Sequence, residues 1–192
     1  MIEIKRYAMP YHLEIGCGST PLQPYDYWIH SDIMIADPHT EITCPAWEVP
    51  LSDSSCDEIF MRGVWEHFNY AEADRVLSEC ARLLIPGGIL TLNFPPIDHA
   101  IDLWNSAAAD WLWFRRVLYG WQRHQHDIHK SGWTRIAFEE FTKQEPQLAI
   151  MEIFFGITSE NQLDGYIERL STEAGWNRID ATMWTKLRKI DG

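Results

Sequence analysis

The segment Leu13-Glu14-Ile15-Gly16-Cys17-Gly18 sets the strongest limit on what this chain can fold into. An apolar run that breaks at once into two glycines one residue apart reads as a strand entering a tight turn. Gly16 and Gly18 permit positive φ there and leave the backbone bare for a ligand to approach. Turns of this kind occur as ordinary chain reversals and in α/β sheets that hold small cofactors at their strand ends, and landmarks further along the chain must decide between the two. Two details shape the ligand. The third glycine of the dinucleotide fingerprint is absent, because Ser19-Thr20-Pro21 follows, and Glu14 sets a carboxylate where a pyrophosphate would lie. A ligand carrying an ammonium or sulfonium group suits this turn better than a dinucleotide.

A chain of 192 residues with 46% apolar content is expected to form one domain over 1–192 with a substantial core. Its net charge of −12 would repel a phosphate backbone, and the basic clusters at Arg115-Arg116 and Lys186 to Lys189 are small, so nucleic acid is not expected as a partner. No apolar run approaches the roughly 20 residues that span a bilayer, and Met1 to Tyr11 lacks the apolar centre of a signal peptide, so a cytoplasmic protein is expected. Cys17, Cys44, Cys56 and Cys80 are widely spaced, without a zinc-knuckle or disulfide pattern, and are read as reduced, mostly buried thiols. Cys17 lies in a ligand-binding turn with no base partner evident in the sequence, which argues against a nucleophile.

Periodicity predicts strands over Tyr11 to Ile15, Trp28 to Ile33, Glu41 to Thr43, Asp57 to Met61, Gly88 to Phe94, Ala149 to Phe155 and Arg178 to Trp184. Helices are predicted over Ala71 to Leu84, through the aromatic region Ala100 to Trp121, from Thr134, and over Gln162 to Ala174. The first of these gathers Ala73, Val76, Leu77, Cys80, Ala81 and Leu84 on one face, and Pro86-Gly87-Gly88 is expected to end it. The order points to an α/β doubly wound sheet.

Five landmarks in sequence then resemble the class I S-adenosylmethionine-dependent methyltransferases, and among them the methyltransferase type 11 group. They are LEIGCG at 13–18, Asp32, the run Val49 to Asp57, Val64-Trp65-Glu66-His67-Phe68, and Ala81 to Gly88. The resemblance covers residues 11–96 and implies a Rossmann-like seven-stranded sheet, mostly parallel with an antiparallel last strand. The cofactor-binding half would be about 11–96 and the acceptor side about 97–192. S-adenosylmethionine would be the donor, leaving S-adenosylhomocysteine. Cofactor contacts are expected at Glu14, Gly16, Cys17 and Gly18, with Asp32 accepting from the ribose hydroxyls and Arg62-Gly63 flanking the methionine part. His67 would line the pocket or cap the next helix.

Two departures follow. The interval from Gly18 to Asp32 is short, so the first helix must shrink to a turn or two around Pro21 to Tyr27, a shortening that resembles a subgroup acting on sugars and cell-surface glycans. An acidic residue that commonly recognises adenine would fall near Pro45, leaving Trp47 or a backbone group to substitute. The acceptor is expected to be a small molecule or glycan, with His99 or His129 as base if its proton must be removed early. Lys130 to Thr134 resembles a segment of the same glycan subgroup. His124, His126 and His129 are read as a substrate-facing loop with no metal, because no carboxylate pattern other than Asp127 accompanies them.

Trp104, Trp111, Trp113, Phe114, Trp121 and Trp133 are read chiefly as core packing, the remainder closing the acceptor pocket or meeting a second copy. Two other functions fit parts of the pattern. One is a non-catalytic protein that only binds S-adenosylmethionine. The other is an NAD-dependent oxidoreductase, against which Glu14 and the missing glycine count.

Overall fold

A computed structural model of the chain describes residues 8–35, 38–107, 109–155 and 182–190. Seven strands form one sheet: β1 (Tyr11–Ile15), β2 (Trp28–Asp32), β3 (Ile42–Thr43), β4 (Cys56–Arg62), β5 (Leu84–Phe94), β6 (Leu148–Phe155) and β7 (Met183–Lys189). Their order is β3-β2-β1-β4-β5-β7-β6. Strands β1 to β5 pair in parallel, while β7 runs antiparallel to both β5 and β6. The chain winds outward from β1 to β2 and β3, then returns to β4 on the opposite side of β1. That reversal opens a crevice at the carboxyl ends of β1 and β4, the place where open α/β sheets bind ligands.

The helices are α1 (Tyr70–Leu83), α2 (Ile97–Asn105), α3 (Trp111–Tyr119) and α4 (Arg135–Thr142). Asn69 opens α1 with a capping box: its side chain accepts from Glu72 N at 2.9 Å, and its own N–H donates back to Glu72 Oε2 at 2.9 Å. Ala73, Val76, Leu77, Cys80 and Ala81 of α1 bury against Leu13, Ile15, Ile59, Met61, Leu90 and Leu92 of the sheet, and Phe138 and Phe141 of α4 join the same core. Each large apolar side chain buried this way contributes roughly 1.5–3 kcal/mol. The opposite sheet face carries Trp28, Phe60 and Trp184, packed with Leu22 and Phe154.

Several expectations shift. Helix α1 gives way directly to β5, because Leu84 is already extended at φ −68°, ψ 139°. Pro86, Gly87 and Gly88 therefore fall inside β5, where the register against β4 jumps between Cys56 and Glu58. Between Pro21 and Tyr27 the chain makes turns and no helix. Prolines at 21 and 24 remove donors a helix would need, and Glu14 accepts from Leu22 N and Gln23 N at 3.1 Å each. The aromatic region splits into α2 and α3 at Ala107, which has φ 55°, and Asp110 caps α3 by accepting from Trp113 N at 2.7 Å. Of the seventh strand, expected over Arg178 to Trp184, the described part is Met183–Lys189, which runs five residues past Trp184; residues 178–181 and the helix predicted over Gln162 to Ala174 lie outside the described residues.

Candidate functional site

Strand β1 delivers the glycine turn to the crevice. Gly16 N and Cys17 N both donate to Ser31 O of β2, at 2.8 and 3.1 Å, so the turn is bound to the neighbouring strand. Gly16 has φ +69°, and a Cβ there would lie 2.4 Å from Val64 Cγ2; the residue must be glycine for the turns after β1 and β4 to touch. Gly18 has φ +60°, and a Cβ there would meet nothing within 4 Å. That side of the turn is open. Asp32, at the end of β2, accepts from Gly18 N at 2.9 Å through Oδ2 and from Met34 N at 3.0 Å through Oδ1. Each oxygen keeps a further lone pair.

Glu14 and Cys17 turn away from that opening. The Glu14 carboxylate, almost fully buried, accepts from Leu22 N and Gln23 N and stands 3.3 Å from His30 Nε2. The charge expected to face a sulfonium is thus committed to holding the segment after the turn. Cys17 Sγ is buried beside Thr40 Oγ1 at 3.8 Å, so only its backbone borders the crevice.

Beyond β3 lies a groove of about 630 Å³ whose walls include Cys44, Pro45, Trp47, Val49 and Arg82. Cys44 N donates to Asp32 O at 2.9 Å, joining this groove to the Asp32 edge. Burial, with Glu79, Glu48 and Asp32 nearby, pushes the Cys44 thiol up to about 11. Trp47 packs edge-on against Phe68, with the Arg75 guanidinium 4.9 Å from its ring. Arg82 clamps the loop below: it donates to Leu51 O at 2.9 Å and Val49 O at 3.1 Å and pairs with Glu79 and Asp53.

The turn after β4 forms the other wall. Gly63, at φ +59°, donates its N–H to Asn93 Oδ1 of β5 at 2.8 Å. Trp65–His67 then make a single 3-10 turn. Glu66 O accepts from Lys130 N at 2.9 Å and Ser131 N at 3.3 Å, while Ile97 N donates to Trp133 O at 2.8 Å. These bonds draw the segment 129–133 against the β4 turn and the start of α2. His129 therefore leaves His124 and His126, whose rings lie 6.3 Å apart at the Arg123–Asp127 turn, and joins His67, with ring centroids 4.8 Å apart. His67 Nδ1 donates to Ile128 O at 3.2 Å and His129 Nδ1 to Val117 O at 2.7 Å. A carbonyl can only accept, so each Nδ1 carries a proton and each neutral ring keeps its Nε2 lone pair. Burial, opposed by Glu66, holds the His67 imidazole below its ordinary range.

Glu66 is the residue that sequence reasoning left without a role. Its Oε1 lies 4.0 Å from His129 Nε2, and its Oε2 is buried with no hydrogen-bond partner among the described residues. The only sequence signal was its adjacency to His67. His99 sits in the first turn of α2, half-buried, with its N–H on Asp98 Oδ1 at 3.0 Å. Of the aromatic group, Trp113 and Trp133 are buried, whereas Trp104, Trp111 and Trp121 are exposed. Trp104, Trp111 and Phe114 pack against one another on the α2–α3 surface, with centroids 5.2 to 6.4 Å apart, so core packing explains fewer of them than expected.

Comparison with known proteins agrees with this architecture. Residues 13–92 match the family model described as "Methyltransferase domain". A methyltransferase from Methanosarcina mazei described as dependent on S-adenosylmethionine shares the fold at TM-score 0.57 and 16% identity, over 95% of this chain and 93% of that one. A second, from Mesorhizobium loti, gives 0.59 and 15% over 97% and 94%. The 1,6-didemethyltoxoflavin-N1-methyltransferase of Burkholderia thailandensis, solved with its acceptor and S-adenosylhomocysteine bound, gives 0.58 and 11% over 94% and 71%. At these identities the likeness to each is one of fold. No curated protein sequence matches the chain. Residues 13–92 therefore match a methyltransferase domain, and the described chain has the fold of S-adenosylmethionine-dependent methyltransferases. These matches support an S-adenosylmethionine-dependent methyltransferase.

Proposed function

We propose that this enzyme methylates a small-molecule or glycan acceptor held between the β4 turn, the start of α2 and the segment 129–133. The observation that carries the donor half is the pairing of Gly18 N with Asp32 Oδ2 beside an open Gly18. In this reading Gly16, Cys17 and Gly18 present backbone to the donor, and Asp32 accepts from the ribose hydroxyls with its remaining lone pairs. Trp47 lines the adenine side in place of the acid that Pro45 replaces, and Arg62-Gly63 border the methionine end. Glu14 acts on the loop from beneath.

Bound there, S-adenosylmethionine supplies an electrophilic methyl group on a sulfonium. The chain's part is to align the acceptor with it and to exclude water, which accounts for much of the acceleration in such displacements. Proton removal falls to His129, whose Nε2 is the acceptor atom of its ring, or to His99. The acidic surface, with net charge −12, disfavours a nucleic-acid acceptor. None of the four cysteines is in a disulfide, which supports a reducing, cytoplasmic setting, and no helix of the described residues is long and apolar enough to cross a membrane.

The test is thermal unfolding with S-adenosylmethionine, S-adenosylhomocysteine and NAD, followed by product detection over hydroxylated small molecules and glycans. A ligand at 100 times its dissociation constant stabilises by about 2.7 kcal/mol. For a chain of this size that is a rise of roughly 5–10 °C. Stabilisation by NAD alone overturns the donor assignment; turnover on none of the acceptors overturns the acceptor class.

A further inference from the structure

We propose that Glu66, His67 and His129 form a divalent-cation site at the acceptor edge of the crevice. One donor atom from each residue lies within 4.8 Å of the others, on a buried carboxylate and two half-buried imidazoles. Glu66 Oε1 and His129 Nε2 are 4.0 Å apart, too far for a hydrogen bond, so the pair is not a carboxylate–histidine dyad. Glu66 Oε2 is buried without a hydrogen-bond partner among the described residues, a costly state for a charged oxygen. The two imidazoles are oriented from behind by backbone carbonyls, Ile128 O and Val117 O, as ligating histidines are in metal centres.

Two nitrogens and one carboxylate oxygen make a three-ligand set that leaves coordination positions open, suited to zinc, cobalt, manganese or ferrous ion. Metal bonds of about 2.0–2.2 Å place neighbouring ligands roughly 3 Å apart, so each group closes by no more than about 1 Å. The site stands beside the β4 turn: a Cβ at Gly63 would lie 3.8 Å from Glu66 Oε1. The role of the ion rests on the methyl-transfer reading above. It holds the acceptor through an oxygen and makes that hydroxyl more acidic, taking over the proton-removing part assigned to His129. The hydroxyl proton passes to solvent, the oxygen bonds to the methyl carbon, and the electron pair of the broken carbon–sulfur bond stays on sulfur. The acceptor class this selects is an alcohol, phenol or sugar hydroxyl, with a second neighbouring oxygen able to chelate.

The experiment titrates chelator-treated protein with Co²⁺, read by calorimetry and visible absorption, and titrates the same samples with S-adenosylhomocysteine. The wild type is expected to bind one equivalent of Co²⁺. Glu66→Gln and His67→Asn are each expected to weaken it by on the order of 100-fold while keeping the thermal midpoint and the S-adenosylhomocysteine affinity. His124→Ala combined with His126→Ala should leave Co²⁺ affinity within about two-fold. If Glu66→Gln fails to fold, His67→Asn, which keeps a donor toward Ile128 O, carries the test. Absence of saturable binding overturns the site. So does loss of binding in the His124, His126 variant, or unchanged binding in both Glu66→Gln and His67→Asn. Co²⁺ binding without S-adenosylhomocysteine binding upholds the site and overturns the donor reading; the reverse upholds the donor and overturns the site.

Discussion

Gly16 and Gly18 share a backbone conformation but face different surroundings, and replacing each by alanine separates structural from ligand-binding reasons for glycine. Both have positive φ, +69° and +60°, so each alanine incurs a left-handed backbone cost of about 1–2 kcal/mol. At Gly16 the new Cβ also falls 2.4 Å from Val64 Cγ2 and 2.9 Å from Cγ1. The shorter of these is more than an ångström inside the ordinary carbon contact of about 3.5–4.0 Å. Valine is stiff at χ1 and cannot swing clear, so overpacking adds about 1–3 kcal/mol. Gly16→Ala is therefore expected to lose about 2–5 kcal/mol and Gly18→Ala about 1–2 kcal/mol, measured by urea unfolding without ligand. Val64→Ala should recover part of the Gly16→Ala loss and none of the Gly18→Ala loss. Calorimetry with S-adenosylhomocysteine reads the other half: Gly18→Ala, the milder change in stability, should be the one whose folded protein binds donor product poorly, because its Cβ fills the open side of the turn. Equal stability losses, or a Gly18→Ala protein with unchanged affinity, would refute the reasoning.

Three further outcomes are expected. Asp32→Ala removes the charged acceptor of Gly18 N and, in the proposed reading, of the ribose hydroxyls; at about 1.5–3 kcal/mol for hydrogen bonds to a charged group, S-adenosylhomocysteine affinity should fall roughly 10- to 100-fold in a calorimetric titration. The Cys44 thiol, pushed up to about 11 by burial and its acidic neighbours, should be alkylated at a rate that climbs about tenfold per pH unit from pH 7 to 9.5, since only the thiolate reacts; a plateau near pH 8.5 in peptide mass mapping would contradict it. Because that folded value lies above the unfolded one, any stability Cys44 gives is present below pH 8 and lost as pH rises toward 11. Asp127 has its carboxyl driven up by burial, an effect outweighed by the Arg123 hydrogen bonds, which hold it below its ordinary range. Its support for the 123–127 turn should be lost as pH falls below about 4 and be absent in Asp127→Asn, as read by hydrogen exchange at the Gln122 amide.

The parts of the fold that were legible in the sequence rest on local rules. Tyr11–Ile15 is bounded as predicted, and α1 begins and ends within a residue of its apolar period because Asn69 and Glu72 mark its start. The break between α2 and α3 was not legible, since it falls at Ala107, where neither glycine nor proline signals a positive φ. The meeting of the glycine turn with Asp32 was readable because a single crossover fixes both positions. Glu14 was readable as important but not in its direction, because a carboxylate attractive to a sulfonium serves equally well as an acceptor for Leu22 N and Gln23 N. The histidines misled for a related reason. Spacing along the chain grouped His129 with His124 and His126, whereas the bonds of Lys130 and Ser131 to Glu66 O carry it to His67.

The hydrogen bond from Ile97 N to Trp133 O closes the neck of an excursion. Residues 98–132 leave and rejoin the domain at one point, and α2 and α3 within them share a small interior of their own around Ala100, Ala109 and Trp113. A segment tethered this way can exchange its helices, lengthen or shorten with little effect on the sheet, because closing a longer loop costs only about 0.6 kcal/mol per doubling. If the acceptor binds where we propose, the excursion and the glycine turn can therefore vary at different rates: new acceptors could be acquired by rewriting the excursion while the neck and the glycine turn stay as they are.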